Sequence, residues 1–437
     1  MKKTSFWRLL GLMGAVLLLL TACGKQGTAT KSSSSAPVKI TYWHRMTGTY
    51  DKSLNKLITK FNQSQKKYKI VATSQGSYNA LQQKIMAAGK SKTLPTMAQS
   101  PYTNIGDYVK NKLLLPFDPE MLNGADKLSN ADLKDIYPSF LSAGKYEGKY
   151  YGLPFSVSTS VLFYNKKLMS QYNISIPKTW ADFAADQEKL KGTDVNAIEL
   201  DQSYDVALEG MAYGAGSQLI TPKLKANLNA PKTLAAVNQI LDLRKSGALK
   251  TAGEDQYFSV PFANGKAVFG IGSSATVPVL IQQAPKDLDW GTAVIPTYEG
   301  KRSNPLNGNY NVLFKGASKA QQAGAWAFQK FLLKSENASQ WAMDSGYVPV
   351  TKTASNSTTF KNYLQKNDKY KAAVSAVSQS FASTVFTGYT DYRNDLMSTV
   401  DSTLTKNVSG ETAFNNLQKQ TETILKENTQ FSSQVQR

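Results

Sequence analysis

Short alternating apolar runs and longer amphipathic runs follow one another along this chain from Lys39 onward, and that succession restricts it to α/β architectures. In KITYW (39–43) Ile40 and Tyr42 share one face of a strand. DKSLNKLITKFNQSQ (51–65) sets Leu54, Leu57, Ile58 and Phe61 on one helical stripe. YKIVAT (68–73) predicts a second strand, SYNALQQKIMAA (77–88) a helix with Tyr78, Leu81 and Ile85 on one face, and LPTMAQ (94–99) a third strand. Strands alternating with helices imply right-handed βαβ units and a parallel sheet. The second half has the same texture. TWADFAADQEKLK starts with Thr179 as N-cap and Asp182 three residues on. KTLAAVNQILDLRKSG (232–247) ends in a capping glycine, Gly247. NGKAVFGIGSS and WGTAVIP are strand-like, SKAQQAGAWAFQKFLLKS (318–335) is a helix, and SENASQWAMDSG begins another with Ser335 as N-cap. The last stretch, including AFNNLQKQTETILKEN, is helical by pattern. The segment from Pro37 to Arg437 is too long for one ordinary core and predicts more than one lobe.

The start of the chain has a different character. Lys2, Lys3 and Arg8 precede an apolar run from Leu9 to Leu20, then Thr21, Ala22 and Cys23. A basic region, a short apolar region and small residues describe an export signal. The apolar run is short of the roughly 20 residues of a spanning helix. Leu20-Thr21-Ala22-Cys23 resembles the bacterial lipoprotein box. That resemblance implies cleavage after residue 22, diacylglycerol on the thiol of Cys23 and an acylated new amino terminus. Residues 24–36, GKQGTATKSSSSA, are small and polar and predict a flexible tether of roughly 20 Å reach. The expected location is the extracytoplasmic face of a Gram-positive-type cell membrane, with lipid as the anchor.

The inventory of reactive residues is small. Cys23 is the one cysteine and His44 the one histidine. With the thiol lipidated, neither a Cys–His pair nor a zinc site of Cys and His ligands can be assembled, and no phosphate-loop pattern occurs. Sequence favours binding over catalysis, with no metal and no cofactor. The different-class alternative is a lipid-anchored carbohydrate-active enzyme using paired carboxylates. Three of the 51 Lys and Arg precede Cys23, so 48 stand against 31 Asp and Glu, a net of about +17. The lysines are dispersed and the chain is exported, which argues against nucleic acid as the partner. Trp326 and Phe328, on one helix, are expected in the core.

ITYWHRMTG, YKIVATSQGSYNALQQKIMAA, YYGLPFSVSTSVLFYNKKLM, PKTWADF, NGKAVFGIGSS and KSENASQWAMDSGYVPVTK follow in order and spacing. In these segments, from about residue 39 onward, the chain resembles the family 1 extracellular solute-binding proteins of ABC importers. The resemblance implies a two-lobe α/β periplasmic-binding-protein fold, type II-like, with a ligand cleft between lobes. Carried onto this chain, one lobe takes 37–154 plus 304–345 and the other 155–303 plus 346–437. It implies a monomeric receptor that captures a small molecule by lobe closure and delivers it to the permease subunits.

The segments before Ser158 and around Tyr347 are most similar to the members that bind glycerol 3-phosphate. Matched to them, Tyr78, Ser158, Ser273 and Tyr347 are ligand-contacting, and Gly308-Asn309 lies where backbone at a glycine is used. Hydroxyls and backbone N–H groups suit phosphate and polyol oxygens. Two positions depart from the pattern: Tyr102 stands in place of an acid, and Arg393 is about one helical turn out of register with the phosphate-binding arginine. The expected ligand is glycerol 3-phosphate or a glycerophosphodiester; the alternative is an oligosaccharide stacked on Trp43, Tyr78, Tyr102 and Tyr347. His44, at the end of the first strand, is a further candidate for a ligand hydrogen bond.

Overall fold

The computed structural model describes residues 36–405 and 408–435. The export signal, Cys23 and the tether up to residue 35 lie outside the described residues. Among those that are described, no helix is long and apolar enough to cross a membrane.

Two sheets organise the body. In the first, β1 (Val38–His44) pairs in parallel with β2 (Tyr68–Ser74) and with β3 (Met97–Ser100). Helices α1 (Gly48–Ser64) and α2 (Tyr78–Ser91) connect them. The expected stripe of α1 is the buried one: Leu54, Leu57, Ile58 and Phe61 all face inward. Ser77 caps α2 by accepting the Ala80 N–H at 3.1 Å.

Within this sheet the expectation of parallel pairing holds only for these three strands. The strand Asn307–Phe314 enters beside β3 antiparallel and also pairs antiparallel with Leu114–Leu115 and Gly152–Ser158. The second sheet is mixed in the same way. Leu249–Thr251, Asn196–Leu200 and Ala267–Ser273 run parallel, whereas Ser160–Asn165 lies antiparallel between Ala267–Ser273 and Trp290–Ala293. The physical reason is connectivity. Strands linked by α crossovers come out parallel, but a strand that leaves one sheet for the other, or returns, enters in the opposite sense.

Three segments bind to the stretch Val157–Ser160, where the chain passes from the first sheet to the second. Asn304 Nδ2 donates to the Ser160 carbonyl at 3.2 Å, and its Oδ1 accepts the Ser160 N–H at 3.1 Å. The Val348 N–H donates to the Val157 carbonyl at 2.8 Å. The Ser274 N–H donates to the Thr159 carbonyl at 2.9 Å.

Helix ends follow their sequences with two shifts. Ser318 and Gln321 form a capping box at Lys319–Leu333, where Trp326 and Phe328 are buried as expected. The next helix, Ser335–Ser345, is capped at Lys334, one residue before the expected Ser335. The helix of TWADF starts at Asp182, whose carboxylate reaches back to the N–H groups of Lys178 and Thr179 at 2.7 and 3.0 Å. Pro231–Lys245 is followed by Gly247 at φ +77°, a left-handed exit.

Candidate functional site

The C-terminal ends of parallel strands leave main-chain groups and loop side chains pointing out of a sheet, which is where open α/β sheets hold ligands. At the exit of β1 the sequence places Arg45. Its N–H donates to Gln99 Oε1 at 3.2 Å, which fixes the loop to β3. Its guanidinium lies 4.4 Å from the centre of the Tyr78 ring, and Nη2 donates to the Tyr347 hydroxyl at 3.2 Å. Nε is buried and has no partner. Burial works against the charge, while the phenols of Tyr78, Tyr347 and Tyr257 and the bond to Tyr347 favour it; the net shift is upward, so Arg45 stays a cation. The Tyr78 and Tyr50 phenols are pushed up, chiefly by burial, and stay neutral hydrogen-bond donors at neutral pH.

Both lobes reach this place. Tyr50, on α1, donates its hydroxyl to the Ala275 carbonyl, just beyond Ala267–Ser273 of the second sheet. Thr49 donates to Gln282 Oε1 at 2.6 Å. Gly346 ends its helix at φ +71°, and a Cβ there would stand 2.7 Å from the Ser274 carbonyl. That close approach sets Tyr347 between the lobes, stacked on Trp341 at 6.0 Å.

Unpartnered polar groups surround Arg45. Asn309 is fully buried, and its amide makes no well-formed hydrogen bond; its polar neighbour is the Tyr78 hydroxyl, whose pKa burial raises and this amide draws down. Gln99 Nε2 and Ser274 Oγ are buried and unpartnered as well. Behind them the polar groups are satisfied. Tyr42 donates to Asn311 Oδ1 at 2.7 Å, Asn311 to Gln329 Oε1 at 2.8 Å, and Gln329 to the Pro154 carbonyl at 3.1 Å. A buried polar group left without a partner costs about 1–3 kcal/mol, so groups of this kind set the polar character of the place.

The sequence candidates divide into groups. Tyr78, Asn309 and Tyr347 meet around Arg45. Gly308 adjoins them: its φ is +116°, and a Cβ would lie 1.8 Å from the Ser156 carbonyl oxygen, so only glycine fits. Ser158 is buried at the end of its strand, opposite Asn307. Ser273 Oγ accepts the Ala275 N–H at 3.2 Å and shapes the turn that receives Tyr50.

Tyr102 belongs to a second group. Its hydroxyl donates to the Leu306 carbonyl at 3.3 Å and accepts the Ser383 N–H at 3.0 Å. Ser383 Oγ donates to Glu209 Oε2 at 2.8 Å, and burial pushes the Glu209 carboxyl up to about 7. Arg393 is part of the same neighbourhood and is already engaged. Nε and Nη2 donate to the two oxygens of Asp205 at 2.7 and 2.8 Å.

Trp43 is half-buried and packs against the hydrophobic cluster that includes Leu81, Ile85 and Tyr102. His44 turns away toward α1, with Nε2 3.7 Å from Asp51, and burial lowers its pKa against the pull of Asp51. Among the described residues no group of His, Cys, Asp and Glu side chains is placed to hold a metal ion.

Sequence reading passed over Arg45, Tyr50, Gln99 and Tyr257. For Arg45 the signal was present. It sits in the quoted WHRMTG, two residues after Trp43, at a strand exit where period 2 puts both on one side.

Comparison with known proteins agrees with this architecture. The family model described as bacterial extracellular solute-binding protein matches residues 56–368. The sn-glycerol-3-phosphate-binding periplasmic protein UgpB of Escherichia coli K12 is 24% identical over 358 residues, covering 78% of this chain and 81% of that one. UgpB from Mycobacterium tuberculosis, solved in complex with glycerophosphocholine, superposes with a TM-score of 0.77 at 20% identity, covering 90% of this chain and 99% of that one. The substrate-binding protein Lmo0181 of Listeria monocytogenes, solved with cycloalternan, gives 0.77 at 19% identity, covering 89% and 98%. The two-lobe fold is therefore that of the periplasmic solute-binding proteins, and the chain belongs to the bacterial extracellular solute-binding family.

Proposed function

We propose that this protein is a lipid-anchored receptor that captures a phosphorylated polyol, glycerol 3-phosphate or a glycerophosphodiester, by lobe closure and hands it to its permease. The observation that carries the reading is the buried amide of Asn309, without a well-formed hydrogen bond, beside Tyr78 and Tyr347 where the two lobes meet. Amide and hydroxyl groups of this kind pair with the hydroxyls of a polyol. The likeness to UgpB proteins supports the phosphorylated class. Closure follows if the ligand touches both faces, because it then favours the closed state by its differential affinity.

A neutral oligosaccharide is the second reading. It is favoured by the aromatic faces of Tyr50, Tyr78, Tyr257 and Tyr347 and by the sugar-bound structures of similar fold. A thermal-shift screen of glycerol 3-phosphate, glycerophosphocholine and maltooligosaccharides separates the two, and stabilisation by the sugars alone rules out the first. For the anchor, Cys23→Ala should release the protein into the medium; retention on the membrane would refute lipidation.

A further inference from the structure

Four arginines lie in the described body; two of them pair with carboxylates and a third donates to a main-chain carbonyl. Arg393 has both oxygens of Asp205, Arg244 has Asp401 at 3.0 Å, and Arg302 donates Nε to the Ile295 carbonyl at 2.8 Å. Arg45 differs. Among the described residues no carboxylate pairs with it, and its guanidinium makes one hydrogen bond, to the neutral Tyr347 hydroxyl. Arg45 is half-buried, but its Nε is buried without a partner and no carboxylate of the described residues balances its charge, so a molecule that supplies negative charge fills that deficit.

We propose that Arg45 is the specificity-determining residue of the cleft, pairing through Nε and Nη2 with a singly charged phosphodiester. This deepens the polyol-phosphate reading above and rests on it. The side of the guanidinium that carries Nε and Nη2 matches two phosphoryl oxygens. Tyr78 lies against the flat face of the group, and the Gln99 contact holds the backbone, so the fork is preset. The fully buried Asn309 amide, beside Tyr78 and without a well-formed hydrogen bond, is the second polar contact available to the ligand.

The charge balance selects the class. The titratable groups facing Arg45 are the phenols of Tyr50, Tyr78, Tyr257 and Tyr347. They donate hydrogen bonds without adding positive charge. One guanidinium neutralises a diester of charge −1. A phosphate monoester carries about −1.5 to −2 at pH 7 and leaves charge uncompensated in a buried place.

Calorimetry on the purified protein tests this with glycerophosphoglycerol, glycerol 3-phosphate and maltotriose at pH 7.5 and 5.5. The diester should bind more tightly than the monoester at pH 7.5. The gap should narrow at pH 5.5, where the monoester falls below its second pKa of about 6. Arg45→Gln should lose about 10- to 100-fold in diester affinity, and Arg45→Lys, which keeps the charge without the fork, should fall between. Thermal unfolding without ligand shows whether each variant is folded; if Arg45→Gln is not, Arg45→Lys and the pH arm on the unaltered protein decide. Unchanged diester affinity in a folded Arg45 variant, or preference for the monoester at pH 7.5, overturns the role of Arg45 while leaving the polyol-phosphate reading intact. Binding of maltotriose alone overturns that reading itself.

Discussion

Arg393 grips Asp205 with two parallel hydrogen bonds, Nε to Oδ2 at 2.7 Å and Nη2 to Oδ1 at 2.8 Å, tying the helix Tyr389–Thr405 to the helix Asp205–Gly214. Asp205 is 9% exposed and Arg393 35%. A guanidinium held this way is a structural tie between two helices.

Arg393→Gln should therefore destabilise the fold by leaving Asp205 buried without its partner. Loss of one partner of a buried pair typically costs about 3–5 kcal/mol. Because Arg393 is partly exposed, about 2 kcal/mol is expected. Urea unfolding should show a lower midpoint with an unchanged slope.

Tyr50→Phe should loosen the contact between lobes. The Tyr50 hydroxyl donates across the cleft to the Ala275 carbonyl, with Thr49 and Gln282 beside it. Losing one such bond costs about 1 kcal/mol, or about fivefold in the population of closed molecules. Small-angle scattering of the ligand-free variant should give a larger radius of gyration than the unaltered protein.

Glu209→Gln should change how stability depends on pH. Burial pushes the Glu209 carboxyl from 4.5 to about 7. A folded-state pKa above the unfolded one means that the folded protein holds more protons between these values. Its stability then falls as pH rises from about 4.5 to about 7. Glutamine keeps an acceptor for the Ser383 hydroxyl and removes the titration. The variant should gain several degrees in melting temperature at pH 8 and little at pH 4.5, read by thermal unfolding across that range.

Gly308→Ala should be among the costlier glycine replacements. It combines φ +116° with a Cβ that would lie 1.8 Å from the Ser156 carbonyl oxygen. Gly316 has φ +95° with open space around its Cβ position. The Gly316→Ala cost should stay near about 1–2 kcal/mol of backbone strain, and Gly308→Ala should exceed it by about 2 kcal/mol or more. Chemical denaturation of the pair isolates the close approach from the strain.

Much of the fold was legible in local pattern. The stripe Leu54, Leu57, Ile58 and Phe61, the helix exit at Gly247, and the alternation through Ile40 and Tyr42 act over one turn or one pleat, so near neighbours suffice to specify them, whereas the N-caps expected at Thr179 and Ser335 fall at Ala181 and Lys334. The shared segments quoted around Ser158 and Tyr347 carried the family. The antiparallel entry of Asn307–Phe314 between β3 and Gly152–Ser158 was not legible, since it joins strands separated by some two hundred residues.

The candidate site divides in the same way. Sequence by itself determined that the chain has one cysteine and one histidine, where most of its helices and strands lie, and, through the family resemblance, that Tyr78, Asn309 and Tyr347 were candidates. Tertiary structure decided which cation has an open side. Arg45 and Arg393 are the same residue type in polar segments, and nothing local tells them apart. Folding brings Asp205 to Arg393 across 188 residues and brings tyrosines, with no carboxylate, to Arg45. A charge acquires its role from its counter-ion, and the counter-ion is chosen by contacts distant in the chain, because electrostatic pairing depends on separation in space.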